Sequence, residues 1–195
     1  PQHLVMVLHG YGADGANLIG LSEYFKEVIP NAVFVAPNAV EKSEVSPFGY
    51  QWWSLLDRSV TAMSEGVNKA TAKLGLYIDG LLKDYNIAAS NLILIGFSQG
   101  SMLSMHYGLG CKTAPKAIIG YSGALLDDNV VANQAPVCLV HGMADGVVPF
   151  DSLASANNRL KAKGIDVKTH AVPGLEHSID VTGIDFAKNF LKSVV

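Results

Sequence analysis

The chain has little of several features that define other classes of protein. Only two of its 195 residues are cysteine, charged residues make up 16%, and the formal net charge is -3. Because neither a basic stripe nor an acidic tail is present, we expect no nucleic-acid partner. The apolar run Leu4–Leu8 is too short to span a bilayer, and it lacks the basic flank and cleavage site of a signal peptide. We therefore expect no stable membrane insertion.

Motifs for metals and phosphates are missing as well. The sequence contains no C-x-x-C, no H-E-x-x-H and no G-x-x-x-x-G-K loop, so we expect neither a metal nor a cofactor. His141 and Asp145 come nearest to the spacing of metal ligands, and a catalytic role for Asp145 explains that pair better. The two cysteines, Cys111 and Cys138, lie in different contexts, and free thiols suit the reducing cytoplasm in which we expect the protein to act.

Apolar runs bounded by turn residues predict the strands. They fall at Leu4–Leu8, Ala32–Ala36, Leu92–Ile95, Ala117–Tyr121, Val137–Val140 and Val167–Val172. Their continuous apolarity indicates burial on both faces, which favours a mostly parallel central sheet. Helical patterns between them lie at Asn17–Val28, 60–82, Gln99–Gly108, Asp151–Lys163 and Ser178–Lys192. We therefore expect a three-layer α/β fold in a single domain, 1–195.

The most specific motif is a G-x-S-x-G centred on Ser98. A buried strand leads into it and helix-forming residues follow it, which is the context of a nucleophile elbow. That turn strains the backbone of the serine, so only small residues fit beside it. Gly96 and Gly100 supply them. The pattern predicts that the Ser98 hydroxyl projects from the end of the sheet as a nucleophile.

A nucleophilic serine needs a base and a third group that orients the base. In α/β-hydrolases an acidic residue and then a histidine follow the serine along the chain. Asp145 lies just past the strand Val137–Val140, and His177 lies just past the last strand. Their order and positions predict a triad of Ser98, His177 and Asp145. Asp151 is a second candidate for the acid, but we expect it to cap the following helix.

The loop after the first strand allows two interpretations. Its sequence, Gly10-Tyr11-Gly12-Ala13-Asp14-Gly15, matches a dinucleotide fingerprint, but the second strand ends without an acidic residue for a ribose hydroxyl. The favoured interpretation is an oxyanion hole, in which the N–H groups of Tyr11 and Gln99 face the reacting carbonyl. A nucleotide-binding domain without catalytic activity is the alternative.

With these residues the chain resembles the phospholipase/carboxylesterase family of α/β-hydrolases, which includes the acyl-protein thioesterases. The resemblance rests on the stretches Leu8–Gly15, Gln51–Leu55, Gly96–Gly100, His141–Pro149 and Gly174–His177. It implies an α/β-hydrolase fold and hydrolysis of esters or thioesters without a cofactor. The chain is shorter than the typical member, so we expect a compact version of the fold that lacks the first edge strands. The same triad and oxyanion donors follow from the resemblance. Ser101 departs from the glycine that is common there in the family.

The segment Pro37–Asp57 is the one long irregular region, and it is rich in aromatic residues. Trp52 matches a family tryptophan beside the active site and Trp53 lies where an aromatic is usual, so we expect both to bind substrate, with Phe48 and Tyr50 completing an apolar wall. The expected substrate is a small molecule or an acylated partner with a short to medium acyl chain, cleaved through an acyl-enzyme. Acyl transfer to an acceptor other than water would use the same triad. We expect a monomer or a homodimer.

Overall fold

A computed structural model describes residues 1–127 and 129–195 and contains a six-stranded central sheet. Every pair of neighbouring strands in that sheet is parallel, as the apolar runs predict. The strand order is β2-β1-β5-β6-β7-β8. These strands are β1 (His3–Leu8), β2 (Ala32–Val35), β5 (Leu92–Phe97), β6 (Ala117–Tyr121), β7 (Val137–Gly142) and β8 (Val167–Val172). A separate antiparallel pair consists of β3 (Glu41–Lys42) and β4 (Tyr50–Gln51).

Helices cover both faces of the sheet. They are α1 (Gly15–Leu18), α2 (Ser22–Phe25), α3 (Val60–Asp84), α4 (Gln99–Gly110), α5 (Asp151–Lys161) and α6 (Val181–Lys192). Helices α3, α4 and α5 pack on one face, where Leu4 and Met6 of β1 point, while α2 and α6 pack on the other face with Val5 and Val7. All four of these β1 side chains are fully buried. Helices on both faces of a buried sheet form the three-layer arrangement that the continuous apolar runs predict.

Two segments differ from the expectations. The single helix expected at Asn17–Val28 is two one-turn helices, α1 and α2, joined by a 3₁₀ turn at Ile19–Leu21. Gly20 lies in that turn, and glycine weakens helical continuity. The irregular segment Pro37–Asp57 contains the β3–β4 hairpin, and Tyr50 in β4 forms a bridge with Ala13. The aromatic-rich segment is therefore attached to the loop that follows β1.

Two smaller expectations, on Asp151 and on the cysteines, are resolved as well. Asp151 is the first residue of α5, and Phe150 occupies the capping position without a side-chain hydrogen bond, so the predicted capping role of Asp151 is wrong. Cys111 and Cys138 are both free, as expected. Among the described residues, no helix has the length and apolar character that crossing a bilayer requires.

The strand order positions the functional loops. From β1 the chain passes to β2 on one side and returns to β5 on the other, so the carboxyl ends of β1 and β5 meet at a topological switch point, where ligands bind in open α/β sheets. The loop containing Tyr11 follows β1, and Ser98 follows β5. Asp145 and His177 follow β7 and β8 at the same edge.

Gly100 sets how closely α4 approaches β1. A Cβ atom on Gly100 would overlap the main chain of Leu8 and His9, whereas one on Gly80 in α3 would meet no described heavy atom beyond its own helix. Gly100→Ala should therefore lower the free energy of unfolding by about 1–3 kcal/mol. Gly80→Ala should raise it by up to about 1 kcal/mol. Thermal unfolding would show opposite shifts, and an equal fall in both variants would contradict the close approach.

Candidate active site

Ser98 lies in a sharp turn between β5 and α4. Its backbone has φ 53° and ψ -117°, a left-handed conformation that costs about 1–3 kcal/mol for a residue with a side chain. The turn is so compact that a Cβ atom on residue 96 would overlap the main chain of Gly100, so only glycine fits at Gly96. The Ser98 N–H donates to the Tyr121 carbonyl oxygen at 2.9 Å, which ties the turn to β6. The structure thus has the strained elbow geometry that the glycine spacing predicts.

A continuous hydrogen-bond chain joins the three residues of the predicted triad. The Ser98 Oγ lies 2.9 Å from His177 Nε2, and His177 Nδ1 lies 2.8 Å from Asp145 Oδ2. An ionised carboxylate only accepts hydrogen bonds, so Nδ1 of the imidazole carries the proton. In the neutral ring Nε2 is then the acceptor that the Ser98 hydroxyl needs. The ring of Phe97 packs against His177, with 4.8 Å between centroids.

The surroundings of Asp145 keep its carboxylate ionised. Burial alone would raise its pKa, but the hydrogen bonds from His177 and from the Val148 and Val147 N–H groups outweigh burial, so the pKa lies below its usual value. Both of these N–H groups donate to Asp145 Oδ1 at 2.9 Å, which leaves Oδ2 for His177. The carboxylate is thus held in one orientation, as a group that orients an imidazole must be.

His141 lies on the other side of Asp145. Its Nε2 is 3.0 Å from the Val148 carbonyl oxygen and 3.3 Å from Asp145 Oδ2. The contact with the Val148 carbonyl gives this buried imidazole a local hydrogen-bond partner. Within residues 1–127 and 129–195, no group of three or more His, Cys, Asp or Glu side chains could hold a metal ion.

The loop after β1 has few N–H groups left to bind a ligand. The Gly12 N–H donates to Tyr50, that of Ala13 to Gly10, and that of Gly15 to the side chain of Asn38. The Asp14 N–H donates to Asn17. Of the N–H groups from 11 to 15, only that of Tyr11 has no acceptor among the described residues. This pattern does not provide the several donors that a pyrophosphate needs.

The second expected oxyanion donor lies at the start of a helix. Gln99 is the first residue of α4, so its N–H is one of the four that a helix leaves without an internal acceptor. The helix dipole adds positive potential at the same point. Tyr11 and Gln99 therefore present main-chain donors from the carboxyl ends of two adjacent strands, β1 and β5.

His9 supports this loop, and the sequence reasoning missed it. The side chain is fully buried, and burial lowers its pKa against the opposing effects of the Gly10 carbonyl and Asp14. Nε2 accepts the Ala39 N–H at 3.0 Å, and Nδ1 lies 2.8 Å from the Gly10 carbonyl oxygen. A neutral ring with its proton on Nδ1 satisfies both contacts. The one available signal was its place between β1 and the glycine-rich loop.

The Gln99 side chain connects the elbow to the segment after β4. Its Oε1 accepts the Trp52 main-chain N–H at 3.0 Å, and its Nε2 donates to the Trp53 carbonyl oxygen at 2.8 Å. The Trp52 indole N–H donates to the His9 carbonyl oxygen at 2.9 Å, and the indole stacks on the His9 ring. The carboxyl ends of β1 and β5 are thus both fixed to one buried polar network.

A cavity of about 350 Å³ opens over Ser98 and His177. Most of its wall is apolar, formed by Leu55, Met63, Met102, Ala124, Val147 and Pro149. Tyr11 and Gln99 also line it, and Arg58 is the one permanently charged side chain among the described lining residues. Such a cavity is suited to an apolar chain attached to a carbonyl at Ser98.

Trp52 and Trp53 do not line this cavity, contrary to the expectation that they bind substrate. Trp52 instead borders a separate cavity of about 370 Å³ beside α3, and Trp53 is buried over Gly66. Phe48 is 85% exposed, so it forms no wall. The polar contacts of the tryptophan segment explain its position, because they hold it against His9, where the loop after β1 begins.

The chain belongs to the phospholipase/carboxylesterase family, whose sequence model matches residues 1–195. It is therefore an α/β-hydrolase of carboxylesterase type. The crystal structure of esterase PE8 is 35% identical and superposes with a TM-score of 0.93, covering 100% of this chain and 93% of that one.

Two curated relatives match over most of their length. Acyl-protein thioesterase 1 of Yarrowia lipolytica is 29% identical over 210 residues, which cover 96% of this chain and 90% of the relative. Esterase YpfH of Escherichia coli is 26% identical over 200 residues, which cover 100% of this chain and 84% of the relative.

Replacing Trp52 tests the polar network without removing an aromatic ring. Trp52→Phe leaves the buried His9 carbonyl without the indole donor, so we expect the free energy of unfolding to fall by about 1–3 kcal/mol beyond any packing effect. Trp53→Phe is the matched control, because the buried Trp53 Nε1 has no hydrogen-bond partner among the described residues. Urea unfolding measures both variants. Equal losses would contradict the role of the Trp52 indole N–H.

Proposed function

We propose that the chain is a single-domain serine hydrolase that cleaves carboxylic esters or thioesters, with Ser98, His177 and Asp145 as its catalytic triad. The observation that carries this proposal is the hydrogen-bond chain of 2.9 Å and 2.8 Å through the three side chains. The strained elbow at Ser98 supports it further, since that conformation persists only where the surrounding structure holds it.

In the first half of the reaction, His177 Nε2 takes the proton of the Ser98 hydroxyl as Oγ attacks the carbonyl carbon of the substrate. Negative charge then develops on the carbonyl oxygen. The N–H groups of Tyr11 and Gln99 stabilise it, because they are fixed before the reaction begins and need no reorganisation. Asp145 stabilises the imidazolium that forms. His177 next gives its proton to the leaving oxygen or sulfur, and an acyl-enzyme remains on Ser98.

In the second half, water attacks the acyl-enzyme while His177 again acts as the base. The carboxylic acid then leaves and Ser98 regains its proton. The names of the relatives, acyl-protein thioesterase 1 and esterase YpfH, support an ester or thioester as the bond that is cleaved. An alcohol or thiol acceptor in place of water would give acyl transfer through the same residues.

The triad is tested by covalent labelling of the folded protein. A fluorophosphonate probe should label wild type at Ser98 and leave Ser98→Ala unlabelled, with kcat about a millionfold lower in that variant. Asp145→Asn should lower kcat about 10⁴-fold, because the imidazole loses its orienting carboxylate. Asp151→Asn, which makes the same change just outside the site, is the control. Wild type that stays unlabelled, or equal losses in the two Asn variants, would overturn the assignment.

The apolar cavity is proposed as the binding site for the acyl chain. It contains the nucleophile and both oxyanion donors. The acyl chain of a substrate whose carbonyl lies at Ser98 would therefore run along Met63 and Met102. Trp52 and Trp53 have a different role in this proposal, because they support the oxyanion loop from behind.

Changes in cavity volume should alter the preferred acyl length. Met63→Ala enlarges the cavity, and Met102→Phe narrows it, so the preference should move to longer and shorter chains respectively. The expected discrimination is about 1–3 kcal/mol for each methylene-sized contact. Ethyl esters of increasing chain length, compared by kcat/KM, measure the shift. Met143→Ala removes an exposed methionine outside the cavity as a control, and the same profile in all three variants would rule out this cavity as the acyl site.

A further inference from the structure

One of the described side chains that line the acyl cavity carries a permanent positive charge. Arg58 lines it together with Leu55, Ser98 and Gln99. The Arg58 Nε–H donates to the Leu55 carbonyl oxygen at 3.3 Å, which leaves the two terminal nitrogens of the guanidinium free for another acceptor. Neither of them has a hydrogen bond or an ion pair with any residue in the ranges 1–127 and 129–195.

Three acidic residues near Arg58 each have another partner. Asp57 Oδ1 accepts the Ser59 N–H at 2.8 Å. Glu44 Oε2 accepts the Tyr11 hydroxyl at 2.7 Å and the Ser54 hydroxyl at 3.0 Å. Asp127 lies 3.4 Å from the Arg159 guanidinium. The cavity itself has no carboxylate among its described lining residues. Asp127 borders a neighbouring cavity together with Arg58, but its ion pair is with Arg159. No described carboxylate lies within ion-pair distance of Arg58, so an anion in the acyl cavity would meet a cation without a described acidic partner.

The leaving group has a different place available. A second cavity, of about 300 Å³, is lined by His177 with Leu18, Leu21, Phe97 and Ile179, and Ser98 does not border it. His177 lines both cavities and gives its proton to the leaving atom. Because the cavity over Ser98 is assigned to the acyl chain, this second cavity is left for the leaving group. Arg58 does not border this second cavity, but it lines the one that contains Ser98 and the oxyanion donors, as well as a smaller neighbouring cavity. The cation therefore lies on the acyl side of the reacting bond.

We propose that Arg58 selects acyl groups that carry a carboxylate at their far end, namely half-esters or half-thioesters of dicarboxylic acids. This inference rests on the proposed esterase function and specifies its substrate class. A carboxylate in contact with the apolar wall alone would lose hydrating water molecules and gain no hydrogen bonds to replace them. The planar guanidinium offers it two parallel hydrogen bonds at the point where the chain ends. Arg58 is thus a specificity-determining residue, separate from the triad.

The test compares two substrate series of matched length. Monoethyl esters of straight-chain dicarboxylic acids, from succinate to suberate, are paired with ethyl esters of the monocarboxylic acids with the same number of carbons. The ratio of kcat/KM within each pair isolates the effect of the carboxylate. In wild type this ratio should peak at one chain length, where the carboxylate reaches Arg58. Raised salt should lower the peak, since the interaction lies at an exposed residue.

Three variants assign the effect to Arg58. Arg58→Gln should lower the peak ratio about tenfold and flatten its dependence on length, while Arg58→Lys should keep part of it, because the charge stays but the paired donors are lost. Lys73→Gln removes the same charge from α3 outside the cavity and should leave the ratio unchanged. An equal ratio in wild type and Arg58→Gln, or an equal fall in Lys73→Gln, would overturn the proposal. Wild type that hydrolyses neither series and takes up no fluorophosphonate would overturn the esterase function itself.

Discussion

The active site depends on a contact between two main chains, where the first turn of α4 lies against the carboxyl end of β1. No side chain fits between them at Gly100, because its Cβ atom would overlap Leu8 and His9. Tyr11 follows one of these elements and Gln99 begins the other, so the distance between the two proposed oxyanion donors is set by backbone packing. The strain at Ser98 is retained because the buried sheet and helix on either side leave the turn no alternative conformation.

Much of this arrangement can be predicted from the sequence, for a physical reason. Parallel strands buried on both faces leave unbroken apolar runs, and their carboxyl ends meet at one edge of the sheet. Residues as distant as Ser98, Asp145 and His177 can therefore be assigned to the same edge before any contact is known. The β3–β4 hairpin gives no such signal. Each of its strands is two residues long, which is too short for a periodic pattern. The hairpin is held by the bridge between Tyr50 and Ala13 and, just after β4, by the hydrogen bond from the Trp52 N–H to the Gln99 side chain.

The tryptophans show where composition alone misleads. Aromatic residues in an irregular segment suggest a binding wall, but an indole also carries an N–H group that needs an acceptor when buried. Trp52 finds it in the His9 carbonyl, and the Gln99 amide fixes the main chain on either side of the same segment. These partners lie more than 40 residues apart in the sequence. Only the fold decides that they meet, so the position of the indoles could not be read from spacing.

The geometry also separates activation from selection. In the proposed mechanism the main-chain donors at Tyr11 and Gln99 act on the carbonyl oxygen. Every ester and thioester has that oxygen, so these donors cannot distinguish one acyl group from another. Selection must arise further along the cavity. Apolar walls such as Met63 and Met102 discriminate by length in small steps, since each methylene contributes about 1–3 kcal/mol. A charge discriminates by sign, and it also disfavours cationic substrates by repulsion. Because Arg58 is exposed, its charge remains solvated in the free enzyme, and a single cation can be placed there without the desolvation cost of a buried charge.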